Sequence, residues 1–152
     1  MFSTKKSKIL YNFKKFVDGY ISEYPKKRNF DLGNSHKNVS KLSPYIRRRL
    51  VSENEIIDLA LSKHSLSSLD KFIQEIYWRT YWRGWLELHP KVYSEYANGN
   101  KTTYIPSKTG IKCFDYWTEE LIDTGYLHNH AGMWYASIWI FTLKRSWEEG
   151  AK

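Results

Sequence analysis

The chain has little of what builds stapled or membrane-spanning proteins. It carries one cysteine, Cys113, in 152 residues. No internal disulfide can form, which excludes the disulfide-scaffold class and fits a reducing, cytoplasmic setting. There is no internal repeat, no low-complexity tract and no segment of clean period-two alternation. The basic start MFSTKKSKIL has no apolar run behind it of the length a secretory signal needs. The longest uncharged stretch, Gly125–Leu143, is interrupted by His128, Asn129 and His130, so its continuous apolar part is only Met133–Leu143. A spanning helix needs roughly 20 mostly apolar residues; a buried core helix is expected there, and no membrane partner. Metal-ligand spacing is lacking too. His128 and His130 form a His-x-His pair with no Cys or carboxylate at convincing spacing, so no metal site is expected. Cys113, beside Phe114 in a predicted helix, reads as a buried structural thiol rather than a nucleophile.

Positive charge and aromatic rings are what the chain has in excess. Its 24 Lys and Arg against 16 Asp and Glu give a formal net charge of +8. Residues 1–50 hold 13 basic and 3 acidic side chains, a net +10, while residues 51–152 hold 11 and 13, a net −2. Aromatics make up 17% of the chain, far too many for a disordered basic tail. The length suits one domain over residues 1–152, with 1–8 expected as a disordered lead-in. A basic excess of this kind meets nucleic acid or anionic lipid, and charge alone does not choose between them.

Periodicity predicts an all-α fold. Ile9, Leu10, Phe13, Phe16, Val17, Tyr20, Ile21 and Tyr24 recur at steps of three and four, predicting an amphipathic helix that ends before Pro25. Residues 25–41 are polar and read as a loop. A short helix follows, with Ser43 as N-cap and Pro44 at its first position. Ser52 through Glu55 fits a capping box for a helix ending near His64. Ser68 opens a long helix from Leu69 to about Leu88, stopped by Pro90. Residues 97–110 read as loop. A helix over about 112–124 ends at Gly125, and a last one runs from about His130 to Trp147.

Three segments invite functional readings. In Gln74–Trp85, Glu75 and Arg79 lie about 40° apart around a helix, with Trp82 about 20° beyond Glu75. A carboxylate, a guanidinium and an indole therefore share one face. That is either a surface i,i+4 ion pair or a partly buried site for a planar anion, with Arg for a phosphate and rings for stacking. In Asn38–Pro44, Ser40 and Ser43 flank Lys41 ahead of a helix start, which is an ordinary cap or a phosphate cradle. Lys26-Lys27-Arg28 and Arg47-Arg48-Arg49 form a basic patch, either solvated or phosphate-contacting, with Tyr24 and Tyr45 nearby.

Taken in order, these segments resemble the helical FAD-binding domain of the DNA photolyase/cryptochrome family. Tyr24 through Asn29 looks like the entry loop, and Val39-Ser40-Lys41-Leu42-Ser43-Pro44-Tyr45 like the phosphate loop. Gln74-Glu75 through Trp78-Arg79 and Trp82, ending Leu88-His89-Pro90, looks like the Glu-x-x-Trp-Arg helix. Thr109-Gly110 with Asp115, then Thr124 through Asn129, looks like the Thr-Gly…Asp and Gly-Trp-Met-His-Asn segments. The match spans most of residues 9–150, closest to a cryptochrome-like branch. It implies FAD as cofactor, held by Tyr24, Ser40, Leu42, Ser43, Glu75, Arg79, Trp82 and Asn129. It implies Trp78 as the ring that stacks on a DNA lesion, Trp147 as an electron-transfer residue, and Lys26, Lys27 and Arg28 at the DNA backbone. Tyr104 stands near the position of the chain's outer tryptophan, and Gly132 where the family has an Arg. The activity implied is that of a deoxyribodipyrimidine photo-lyase, in light-dependent repair or photoreception. The family's flavin clasp lies in a segment with no counterpart before Lys152. FAD binding is therefore expected to be weak or to need a homo- or hetero-oligomeric partner that supplies the missing helices, and autonomous catalysis is not expected. The alternative is a non-enzymatic basic helical protein that binds nucleic acid or serves a partner chain.

Overall fold

The computed structural model describes residues 2–33, 35–99, 106 and 108–152. Among them the regular structure is helical, with no strand. The chain gathers into two compact units, Met1–Arg83 and Gly84–Lys152.

In the first unit, α1 (Lys6–Gly19) buries Ile9, Phe13, Phe16 and Val17, the predicted stripe. It does not run on to Tyr24. The chain turns through one 3-10 turn at Ile21–Glu23 into α2 (Tyr24–Lys27), whose first turn contains Pro25. Pro25 ends one helix and starts another: its ring would clash with the carbonyl four residues back, but its missing N–H is harmless in a first turn. The short α3 (Ser43–Arg47) has Pro44 in its first turn, but Ser43 is its first helical residue and not its cap; no side chain caps it. α4 (Glu53–Leu61) starts as predicted, with the Ser52 hydroxyl accepting the Glu55 N–H at 3.2 Å. The Glu55 carboxylate pairs with Lys6 at 2.9 Å. α5 (Leu66–Leu88) begins ahead of the expected Leu69, because Ser65 accepts the Ser68 N–H at 3.4 Å and so takes the capping role given to Ser68. The buried side chains of α1, α4 and α5 meet in one core with Leu42, Ile46 and Val51.

In the second unit, α6 (Pro90–Asn98) is an element beyond those the sequence pattern predicts: Pro90 stops α5 and also opens a helix. The loop expected over 97–110, and Tyr104 within it, lie largely outside the described residues. α7 (Lys112–Thr124) ends as predicted at Gly125, whose φ of 67° is left-handed and whose N–H reaches Leu121 O at 2.8 Å. The last predicted helix is interrupted. α8 (Asn129–Ser137) passes into a π-turn at Ile138–Thr142, the chain leaves helical geometry, and α9 (Trp147–Ala151) restarts with Ser146 as its cap. Nor is Met133–Leu143 a buried core helix: Trp139 is buried, but Met133, Trp134 and Phe141 are exposed. Among the described residues no helix is long and apolar enough to cross a membrane. Cys113 is exposed rather than buried, because Phe114, the next residue around the helix, takes the inward position.

Candidate functional site

Three turns of α5 carry the site in the first unit. Glu75 does not pair with Arg79, its neighbour one turn on. Its carboxylate takes Arg28 at 2.9 Å and Lys71 at 3.3 Å, with the Arg28 and Glu75 side chains only 19% and 25% exposed. Arg28 therefore faces inward and ties the end of α2 to α5. Asn38 fixes the same corner: its amide nitrogen donates to Lys27 O and Phe30 O, each at 2.7 Å, from a position only 4% exposed. This clip sets the path of the chain through Ser40 and Leu42. Lys41 between them has φ 53°, a left-handed conformation that costs a non-glycine residue on the order of 1 kcal/mol.

Arg79 sits half-buried one turn further along, and its Nε is buried without a hydrogen-bond partner. Burial holds its pKa below the usual value; the Glu53 carboxylate opposes this, while the charges of Arg47, Arg83 and Arg49 add to it. Arg49 reaches Glu53 at 3.2 Å across the start of α4. On the adjoining flank of α5, Trp78, Tyr81 and Trp82 touch one another, with ring centroids 5.2, 5.3 and 6.4 Å apart. All three are about half exposed, so an aromatic surface lies beside the guanidinium groups.

The remaining candidates have more structural settings. Tyr24 is half-buried, its ring edge-on to Phe72 at 5.3 Å and Phe16 at 6.2 Å. Leu42 is part of the core. Ser40 is half-buried and Ser43 exposed. Lys26 is exposed, and Lys27 pairs with Glu23 one turn back. The structure thus joins Arg28 to Glu75 and Trp78 to Trp82, and places Tyr24 and Leu42 against one core. Asn129 and Trp147 belong to the second unit. Asn129 is exposed at the start of α8, its amide 3.9 Å from Met133 Sδ, and Trp147 is half-buried at the start of α9. There Asp115 gathers the Thr109 N–H and hydroxyl at 2.9 and 2.7 Å and the Gly110 N–H at 3.1 Å, and these bonds hold its carboxyl below the ordinary range. No group of three or more metal-ligating side chains occurs among the described residues.

Sequence reasoning missed Glu53 and Arg83. The available signal was the i,i+4 step, since Glu53 follows Arg49 and Arg83 follows Arg79 at that interval. What the sequence could not supply was that both charges act on Arg79.

Comparison with known proteins gives two distant relatives. The chain is 26% identical over 90% of its length to a deoxyribodipyrimidine photo-lyase of Alkalihalophilus pseudofirmus. It is 25% identical over 89% of its length to the deoxyribodipyrimidine photo-lyase of a Synechococcus species. Each match takes in 31% of the relative, so the chain spans about a third of the length of these proteins. They support a distant relationship to the photolyase family. No family profile matches the chain, and no solved structure does.

Proposed function

We propose that this chain is a photolyase/cryptochrome-like flavoprotein whose first unit binds the phosphates and part of the ring system of FAD. The observation that carries the reading is the half-buried Arg79, with its unpartnered Nε, beside three exposed rings on α5. A buried guanidinium N–H without an acceptor is costly, and a phosphate oxygen would satisfy it. Exposed rings in contact suit a planar heterocycle. The relatives' printed name points to the same class. The phosphates would be held by Arg79 with Ser40 and Ser43, on a loop shaped by Tyr24 and Leu42, and Glu75 and Trp82 would flank the rest of the nucleotide. Asn129 is assigned to the flavin ring and Trp147 to electron transfer on resemblance alone. A bound flavin would supply light absorption and one-electron chemistry. The chain's own residues would orient it, stack Trp78 on a DNA lesion, and bring Lys26 and Lys27 to the DNA backbone, while Arg28, turned inward onto Glu75, would hold that corner of the site instead of reaching DNA. Residues 1–152 would act as one flavin-binding domain.

The test is an absorbance spectrum of the purified protein after incubation with FAD and desalting, repeated with lesion-bearing DNA. Flavin bands that survive desalting, and fall with Arg79→Ala, support the reading. No retained flavin and no quenching of tryptophan emission by FAD would overturn it.

The alternative, a non-enzymatic nucleic-acid-binding protein, is favoured by the concentration of charge. The first unit has 17 basic and 8 acidic residues, a net +9, while the second has 7 and 8, a net −1. Binding to duplex DNA that weakens steeply with salt, without flavin, supports this reading. No DNA binding at low salt rejects it.

A further inference from the structure

We propose that the outer face of α1, built on Lys8, Tyr11, Lys14 and Lys15, is a contact surface for a nucleic-acid backbone. Residues 1–20 hold five lysines and one acidic side chain, Asp18. At about 100° per residue, Lys8, Tyr11 and Lys15 fall within about 60° of one another, and Lys14 stands beside Tyr11. This face lies opposite Ile9, Phe13, Phe16 and Val17, which are buried in the core. Lys8, Lys14 and Lys15 are exposed, and Tyr11 is 57% exposed. The Lys15 ammonium lies 4.6 Å over the Tyr11 ring, so ring and charge are presented together.

The neighbouring cations already have partners. Lys6 turns to Glu55 at 2.9 Å. The i,i+4 step offers Asp18 to Lys14, but tertiary packing gives it to Lys63. With the one carboxylate of α1 taken, Lys8, Lys14 and Lys15 form no ion pair among the described residues. Their charge is left for a partner from outside.

Spacing selects the partner. Lys8 and Lys15 are seven residues, about 10 Å, apart along the axis. One duplex strand places a phosphate every 3.4 Å or so of its axis, so the pair brackets about three of them. Point charges flanking a hydroxyl suit a repeated anion and read no base, which makes the contact independent of sequence. An anionic membrane would meet the same charges, but a helix bound in a membrane interface inserts its apolar face. That of α1 is committed to the core, with Ile9, Phe13 and Val17 each 1% exposed.

The inference rests on the first unit meeting nucleic acid, which both readings above hold, and assigns the contact to a face that neither uses. Fluorescence anisotropy of a labelled mixed-sequence duplex, titrated with the full chain over a range of salt, is the test. The double variant Lys8→Gln, Lys15→Gln should bind at least about tenfold more weakly at low salt, with the salt slope lowered by roughly 2. The pair Lys108→Gln, Lys112→Gln removes the same charge from the second unit and should bind within about twofold of wild type. All should keep the wild-type circular dichroism, since none of the four lysines forms an ion pair among the described residues. If wild type binds and the α1 variant binds equally well, or if the second pair weakens binding as much, the α1 face is overturned and the nucleic-acid reading stands. If wild type binds no duplex at low salt, both fall. Vesicles of phosphatidylserine and phosphatidylcholine that capture wild type through Lys8 and Lys15, in place of duplex, would overturn the proposal in favour of a lipid surface.

Discussion

The two units differ in what they bury and in what they carry outside. The first packs fourteen apolar residues into one cluster, mostly Ile, Val, Leu and Phe, under a surface of net +9. The second is nearly neutral, and its buried set mixes Phe114, Trp117, Ala131 and Trp139 with Thr118, Glu120 and His128. Thr118 bonds Phe114 O at 2.9 Å and lies 3.2 Å from the Tyr135 hydroxyl, so part of this interior is held by polar contacts that need good geometry. The contrast shows where a charged site can be supported. A half-buried guanidinium such as that of Arg79 needs a backbone fixed by something other than itself, and the cluster of α1, α4 and α5 provides it.

Four sets of variants break or sharpen that contrast. Phe72 is 3% exposed and lies against Phe13, Phe16 and Tyr24, and Phe114 is wholly buried on Tyr135 with centroids 4.2 Å apart. Either change to Ala should cost about 3–5 kcal/mol. Hydrogen exchange should show Phe72→Ala opening α1, α4 and α5, and Phe114→Ala opening α7 and α8. Equal loss across both sets in either variant would mean that the units unfold as one.

Gly150→Ala comes next, at about 1–3 kcal/mol by thermal melting. A Cβ there would lie 2.9 Å from the Trp139 indole nitrogen, which donates to Ser146 O at 2.8 Å. An unchanged melting temperature would show that α9 yields at little cost. Ser52→Ala should cost about 1 kcal/mol through the lost cap of α4. Ser146→Ala removes the same kind of bond from a five-residue helix and should cost less in global melting. A reversed order would contradict the ranking of the two units.

Asp115→Asn has the smallest expected effect and a pH signature. The bonds to Thr109 and Gly110 lower the folded-state pKa of Asp115. Its stabilisation is therefore present above the unfolded value of about 3.9 and is lost as pH falls through the folded value. The variant should melt below wild type at neutral pH, and the two melting curves should converge under strong acid. A gap that persists there would assign the effect to shape rather than charge.

Much of the fold was legible in local sequence. α1 and α7 have strong stripes, and Gly125 is a stop that any reading finds. The break between α8 and α9 was not legible, because Leu143–Ser146 has no Gly or Pro. Lys144, at φ 53°, makes the turn instead. The segment around Trp78 and Arg79 drew notice through its density of rings. Spacing along one helix offers Glu75 the guanidinium of Arg79, whereas tertiary packing gives it that of Arg28. The charges of Arg47, Arg49 and Glu53 act on Arg79 from outside α5, and no periodicity in a single helix contains that.

The π-turn at Ile138–Thr142, closed by Leu143 N–H to Ile138 O at 2.9 Å, is in effect a helix carrying one surplus residue. Its consequence is a change of phase. Every side chain after Ile138 faces a direction that a regular helix would have given to a neighbour. Trp139 can thus be clasped by Ser146 and by Arg145, whose guanidinium lies 4.7 Å over its ring, while Phe141 turns outward. Deleting a single residue here would reset the rotation of all that follows. This stretch should therefore tolerate substitution far better than any change in its length.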